Sequence, residues 1–178
     1  MAWNGDEYVL INVPCDDLRP DAMSPQQAAE QAIARLSFTT PDVGFGPDPN
    51  NNRFGMLPVG FNVWFFPRGG TLEPASARDS VGGHEVNLSI RVKEITYQLG
   101  DGTVLKCSGG GTHRPADLKR DIKSPDCGHQ YEQKGEYTIV AMTTWQVNWT
   151  ASGASGSQEI TLSSSRSLSI GELHSVNR

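Results

Sequence analysis

From His84 onward, apolar and polar residues alternate, and this alternation constrains the fold of the 178-residue chain more than any other feature. Two runs show it. Their inward members are Val86, Leu88, Ile90 and Val92 in the first and Tyr137, Ile139, Ala141, Thr143, Trp145, Val147 and Trp149 in the second. A spacing of two places such residues on one face of an extended chain, so each run predicts a half-buried β-strand. A kink near Lys93 and Glu94 is expected to separate the first strand from another over 95–99.

Turn signals join these strands into a region without helices. Gly100-Asp101-Gly102 is a hairpin signal, and the Ser/Gly-rich stretch 151–157 predicts a flexible tip before a returning strand over 160–170. Gly and Pro total 30 residues (19 plus 11), about 17% of the chain, against a usual share of roughly 12%. Five or six predicted strands over 84–172 indicate a small antiparallel β-sandwich.

The segment before His84 has a mixed pattern. Residues 7–13 and 60–66 have the composition of strands. Ser24, Pro25 and Gln27 form a capping-box pattern that predicts a helix over 25–36. We therefore expect a mainly β chain in three parts: an α+β extension over 1–83 with two or three strands and one helix, a sandwich over 84–172, and a tail over 173–178.

The charge balance excludes two classes of partner. With 15 basic and 20 acidic residues the net charge is −5, so the basic footprint of a nucleic-acid-binding protein is absent. No apolar run approaches the ~20 residues of a membrane span, so no membrane insertion is expected within this fragment. Residues 1–7 also lack the basic start and apolar stretch of a signal peptide, which fits a cytosolic protein or a piece of a longer chain.

Three cysteines bear on the compartment. Cys107 and Cys127 lie beside turn residues at the two ends of a polar stretch, and a disulfide between them would stabilise the fold by roughly 3 kcal/mol. The alternative is two unrelated buried thiols. A disulfide implies an oxidising compartment, which an extracellular or cell-surface location would provide. Cys15 then has an unknown partner, within the chain, in another chain, or none.

Aromatic and acidic residues suggest candidate binding sites. Trp64, Tyr137 and Trp149 could form a platform for stacking on a carbohydrate, although Trp145 on the same strand face is expected in the core. Asp48 and Asn50 supply oxygen atoms in a polar loop, and Asp101 does so in a turn, which makes them candidate calcium ligands. The alternative for all three is an ordinary turn role. No cofactor is expected, and zinc is not, because no C-x-x-C pattern or histidine spacing fits it.

Catalytic signals are weaker still. His129 is a candidate general base, but no nucleophile motif accompanies it. A cluster of acidic residues, Asp16, Asp17 and Asp21, could supply the carboxylate pair of a glycoside hydrolase. Acidic proteins contain such clusters by chance, so we expect no catalytic residues.

Two segments carry a resemblance to a known family. Tyr97-Gln98-Leu99-Gly100-Asp101-Gly102-Thr103 resembles the W-D-F-G-D-G-T segment of PKD (polycystic kidney disease) domains. The segments 129–131 and 135–139 resemble their H-x-Y and G-x-Y-x-V segments. The resemblance implies an extracellular immunoglobulin-like β-sandwich. Tyr97 in place of Trp is a mild departure, whereas Gln98 in place of Asp weakens a calcium site there.

The segments 124–131 and 145–149 also resemble secreted or membrane-anchored PKD-like proteins of high-GC Gram-positive bacteria. Some members are labelled ATP/GTP-binding, but the phosphate-binding motif G-x-x-x-x-G-K-[ST] is absent here. The resemblance implies a non-catalytic structural or binding module at a bacterial surface, with a protein or a cell-surface glycan as partner. Two alternatives remain: a hydrolase whose N-terminal lobe shapes a cleft, and a pilus or appendage subunit joined through Cys15 or a strand edge.

Overall fold

A computed structural model describes residues 22–70, 72–115 and 121–172, together with the backbone of two short strands, β1 (Ala2–Trp3) and β2 (Tyr8–Val9). The described part is mainly β with one α-helix, which confirms the predicted class. The acidic cluster at 16–21, Cys15, most of the predicted strand 7–13 and the predicted tail 173–178 lie outside the described residues. Among the described residues no helix has the length and apolarity needed to cross a bilayer.

The helix α1 (Pro25–Ala34) begins where the capping pattern predicts and ends two residues before the predicted end. The Gln27 N–H donates to the Ser24 hydroxyl at 3.2 Å, and the Gln27 side chain accepts from the Ser24 N–H at 2.9 Å. These two bonds satisfy amide groups that a helix start leaves unpaired. One face of the helix is buried and consists of Ala28, Ala29, Ala32 and Ile33.

A large sheet forms the frame of the molecule. Its strands are, in spatial order, β4 (Leu57–Pro58), β11 (Ala154–Gly171), β10 (Gly135–Ala151), β7 (His84–Gln98) and β6 (Ala75–Val81). A further strand, β8 (Val104–Cys107), pairs with the end of β7 that β6 leaves open. The pairings are antiparallel except β11 with β4. The hairpin of β10 and β11 is continuous from the Gly135–Ile170 pair to the Ala151–Ala154 pair.

The predicted kink near Lys93 is a β-bulge inside one continuous strand. Thr144 of β10 lies opposite Glu94 of β7, whereas the next residue, Trp145, lies opposite Val92. Lys93 is therefore the extra residue, and the strand continues past it. The bulge keeps the apolar residues before and after it on the same buried face of the sheet.

Two separate covers pack on that face, side by side along the long strands. A small antiparallel sheet of β3 (Asp42–Gly46), β5 (Asn62–Arg68) and β9 (Gly128–Gln130) encloses one core with the far half of β7. The helix α1 encloses a second core around Val86, Leu88 and Trp145. The large sheet and the small sheet each contain strands from 1–83 and from 84–172.

Candidate functional site

Cys107 and Cys127 form a disulfide, with their Cα atoms 5.7 Å apart, as predicted. The bond joins the end of β8 to the residue before β9 and closes a loop, which we call the stapled loop (108–126). Its described residues lie across the outer face of β5. Trp64 Nε1 donates to the Ile122 carbonyl at 2.8 Å, and the Phe66 ring lies 4.2 Å from the His113 ring. The loop therefore covers a sheet face that would otherwise expose aromatic rings.

Asp126 holds the two ends of the stapled loop together. Its carboxylate accepts from the Thr112 N–H at 3.0 Å, from the Thr112 hydroxyl at 2.7 Å and from the Cys127 N–H at 2.8 Å. Partial desolvation would raise the pKa of this carboxyl, but the hydrogen bonds from Thr112, Ser124 and Cys127 outweigh it and lower the pKa. The ionised Asp126 carboxylate thus stabilises the loop by accepting these hydrogen bonds.

The segments 97–103 and 129–131 meet at the β7–β8 turn. Asp101 accepts from the Thr103 N–H at 2.9 Å and contacts His129 Nε2 at 2.6 Å. The His129 ring packs edge-on against Tyr131, whose hydroxyl donates to the Leu99 carbonyl at 3.0 Å. Burial raises the pKa of Tyr131. This chain of contacts ties β9 and the residue after it to the turn.

Tyr97 uses its hydroxyl inside the core. The hydroxyl donates to the Gly110 carbonyl in the stapled loop at 2.7 Å, and the ring lies 5.8 Å from Phe65 of the small sheet. Burial raises the pKa of Tyr97, so the phenol stays a hydrogen-bond donor. A phenol at this position therefore links the large sheet, the small sheet and the loop.

The structure does not bring Trp64, Tyr137 and Trp149 together. Trp64 is 5% exposed beneath the stapled loop. Tyr137 packs on Tyr131 with ring centres 4.3 Å apart, at one end of β10. Trp149 lies twelve residues further along β10, about 40 Å away for an extended strand, half-buried beside α1. Trp145 is buried in the second core, 4% exposed.

The calcium candidates are engaged in other contacts. Asp48 caps a short 3-10 turn by accepting from the Asn50 N–H at 3.0 Å, and its second oxygen pairs with Arg166 at 2.6 Å. Asp101 is paired with His129. The described residues contain no group of three or more His, Cys, Asp or Glu side chains arranged to hold a metal.

Sequence reasoning missed a groove along β3, the edge strand of the small sheet. We call it the Arg–Phe groove; its volume is about 520 Å³. Its walls include Phe45, Phe54, Phe66, Arg68, His113 and Arg166. Arg166 reaches it from β11, with its guanidinium 4.1 Å above the Phe45 ring. A lone arginine within the serine-rich strand β11 is the sequence signal that could have indicated it.

Two glycines let side chains lie flat against β3 in this groove. A Cβ on Gly44 would lie 2.5 Å from the Phe66 ring, and one on Gly46 would lie 2.8 Å from Arg114 Cβ. Without side chains at these positions, Phe66 and Arg114 pack directly on the β3 backbone. Both are also well buried, at 6% and 8% exposure.

Comparisons with known proteins give no match for this chain among protein-family models, curated proteins or solved structures.

Proposed function

We propose that this chain is a non-catalytic, extracellular binding module built on a PKD-like, immunoglobulin-like sandwich. Its partner would be a protein or a glycan at a bacterial cell surface. The stapled loop carries the proposal: a disulfide and hydrogen bonds at Trp64 and Asp126 hold the described residues of a long polar loop against a sheet. Long loops that are tied down in this way usually have a function.

The sandwich assignment is supported by how the two sheets face each other. Phe65 of β5 and Tyr97 of β7 contact across the first core, and Leu168 of β11 is fully buried in the same cluster. The two PKD-like segments also contact one another through Asp101 and His129. Two facing sheets are what the resemblance to PKD domains implies.

The extracellular location is supported by the disulfide itself, because such bonds persist in oxidising compartments. The non-catalytic role is supported by the surroundings of His129. Its Nε2 faces a carboxylate that is already committed to the β7–β8 turn. Such a pair stabilises a turn, which is a structural role.

A glycan partner draws support from the surroundings of Trp149. This half-buried ring lines a shallow cavity together with amide and hydroxyl groups, contributed by Gln26, Ser155, Ser157 and Gln158. An aromatic face bordered by such groups matches the apolar face and the hydroxyls of a sugar. The cavity lies between α1 and the β10–β11 end of the large sheet.

The test is binding of the labelled, full-length, oxidised protein to cells of a high-GC Gram-positive bacterium. Saturable binding is expected, together with at most one free thiol per chain. Protease treatment of the cells abolishes binding to a protein partner, whereas periodate oxidation abolishes binding to a glycan. Trp149→Phe weakens glycan binding, and Trp145→Phe, which changes a buried ring, serves as the matched control. Absence of saturable binding, or three free thiols in the native protein, overturns the proposal.

A further inference from the structure

We propose that the Arg–Phe groove binds a small amphipathic carboxylate, with an apolar body along the phenylalanine rings and its carboxylate at Arg68. The inference deepens the binding role proposed above, on which it rests, and it names a ligand class. Three properties of the groove support it: its size, its lining and its charge.

The size and lining fit a small organic molecule. A volume of about 520 Å³ lies within the range of roughly 300–1,000 Å³ typical of ligand pockets. Phe45 and Phe66 are nearly fully buried within the walls, and Leu57 beside them is 2% exposed. Phe54 is 52% exposed at the groove and leaves a large apolar ring in water. An apolar ligand body would cover that ring.

The groove brings several arginines together in an acidic chain. Its described walls include Arg68, Arg114 and Arg166, with Asp48 beside Arg166 and Asp42 beside Arg68. The whole chain carries a net charge of −5, so three arginines around one groove are a specific feature of it. Guanidinium groups bind carboxylates through paired N–H donors in a planar arrangement.

The three arginines are not equivalent. Arg166 is fixed between Asp48, at 2.6 Å, and the Phe45 ring. Arg68 is different: its side chain is 54% exposed, and its guanidinium lies 3.8 Å from Asp42, which is itself 70% exposed. Exposed pairs of this kind contribute little. Arg68 can therefore turn toward an incoming anion at small cost.

The apolar share of the walls selects the kind of anion. A compact, strongly hydrated anion would occupy the arginine end and leave the exposed Phe54 ring in water. A carboxylate attached to an aromatic or aliphatic body satisfies both ends of the groove at once, because burial of the body and pairing of the charge occur together.

The experiment titrates the full-length oxidised protein with pyrenebutyrate, followed by fluorescence anisotropy, and compares pyrenebutanol, its neutral counterpart. We expect one saturable site for the carboxylate and binding of the alcohol weaker by about tenfold. Arg68→Gln is expected to weaken binding of the carboxylate by about tenfold and to leave binding of the alcohol unchanged. Phe54→Ser is expected to weaken both probes.

The matched control is Arg91→Gln, which removes an arginine from the large sheet, where its guanidinium donates to Gln146 at 2.6 Å. It is expected to change neither probe. Thermal melts of each variant verify that the fold is intact, and Arg68→Lys, which keeps the charge, replaces Arg68→Gln if the latter fails to fold.

Equal affinity for the two probes, no saturable binding, or an equal effect of Arg91→Gln and Arg68→Gln overturns the groove proposal. Binding to bacterial cells, measured on the same variants, separates the two proposals. If cells are bound while pyrenebutyrate is not, the groove assignment alone is wrong. If pyrenebutyrate is bound while cells are not, the surface-binding role is wrong and the groove stands as a ligand site.

Discussion

Asp101 and His129 are 28 residues apart in the chain, and their side chains meet at 2.6 Å between Oδ2 and Nε2. The pair joins the β7–β8 turn of the large sheet to β9 of the small sheet. Each side chain is about one-fifth exposed, at 22% for Asp101 and 20% for His129. The contact therefore links the two sheets at a partly solvated edge. Its strength depends on whether the Asp101 carboxyl is ionised.

Stability should fall in acid in a way that depends on Asp101. Desolvation would raise the pKa of its carboxyl, but hydrogen bonds from Thr103 and His129 outweigh this and hold the pKa below its ordinary value of 3.8. A carboxyl with a lowered pKa contributes stability that is fully present above the ordinary value and is lost as the pH falls through the folded value. We expect the free energy of unfolding, measured with urea, to decrease as the pH is lowered below about 4.

The substitution Asp101→Asn should lower the free energy of unfolding by about 1 kcal/mol at pH 7, the typical contribution of a hydrogen bond to an ionised group after solvent screening. It should also lose less stability between pH 5 and pH 3 than the wild type, because the titrating carboxyl is gone. Asp42→Asn, at an exposed carboxylate, is the control and should keep the wild-type acid profile. An acid profile for Asp101→Asn that equals the wild type would contradict the role of the pair.

Gly111 should be the least replaceable residue of the glycine run in the stapled loop. Its φ is +106°, and a Cβ there would collide with the Phe65 carbonyl oxygen and lie 2.9 Å from Cys127 Cβ. Both obstacles are rigid, since one is backbone and the other is a disulfide. Gly111→Ala is expected to lower the free energy of unfolding by at least ~3 kcal/mol, measured by urea denaturation.

Gly109 provides the comparison for that substitution. It also has a positive φ, +64°, but a Cβ there would meet nothing within 4 Å. Gly109→Ala should therefore cost only the backbone penalty of about 1 kcal/mol. Similar losses for the two variants would show that the loop does not pack tightly on β5.

Removal of the Cys107–Cys127 disulfide should destabilise the fold even when side chains of similar size replace the two cysteines. The double variant Cys107→Ser and Cys127→Ser is expected to lose roughly 3 kcal/mol, the chain-entropy value for a loop of this length. The measurement is the urea midpoint of the oxidised wild type, the reduced wild type and the variant. The reduced wild type and the variant should agree; a variant as stable as the oxidised protein would show that the disulfide contributes nothing.

Local pattern predicted the strand faces because a half-buried sheet imposes a period of two on its own sequence. The faces of β10 follow the alternation over Ile139 to Val147, all buried at odd positions. The capping box predicted the start of α1 for a similar reason, since its bonds connect residues three apart. These are contacts between near neighbours or consequences of one strand's geometry.

The candidate site could not be predicted in this way. Asp48 and Arg166 are 118 residues apart, and their pairing depends on how β11 passes beside β3. Trp64 shows the same limit: its strand has an apolar sequence on both faces, and the second cover is a loop more than forty residues later. Whether an aromatic side chain is buried or exposed depends on what packs over it, and that is a property of tertiary packing.

The bulge at Lys93 leads to the last prediction, that deletion of this one residue is tolerated. Without Lys93, Val92 and Glu94 become neighbours, which gives unbroken alternation and a regular pairing with Trp145 and Thr144. The lost ion pair with Glu159 is half-exposed and contributes at most ~1 kcal/mol. We expect the free energy of unfolding to change by less than ~1.5 kcal/mol.

Deletion of Ser89 from the same strand is the matched comparison and should be severe. A one-residue shift moves side chains to the opposite face. The deletion therefore leaves either Val86 and Leu88 or Ile90 and Val92 on the solvent side, whichever register the strand adopts. Loss of burial for two such side chains costs at least ~3 kcal/mol, measurable by urea denaturation. Equal losses in the free energy of unfolding for the two deletions would mean that Lys93 does more than set which side chains of β7 face the core. It would then also be needed to bend β7 between the two covers.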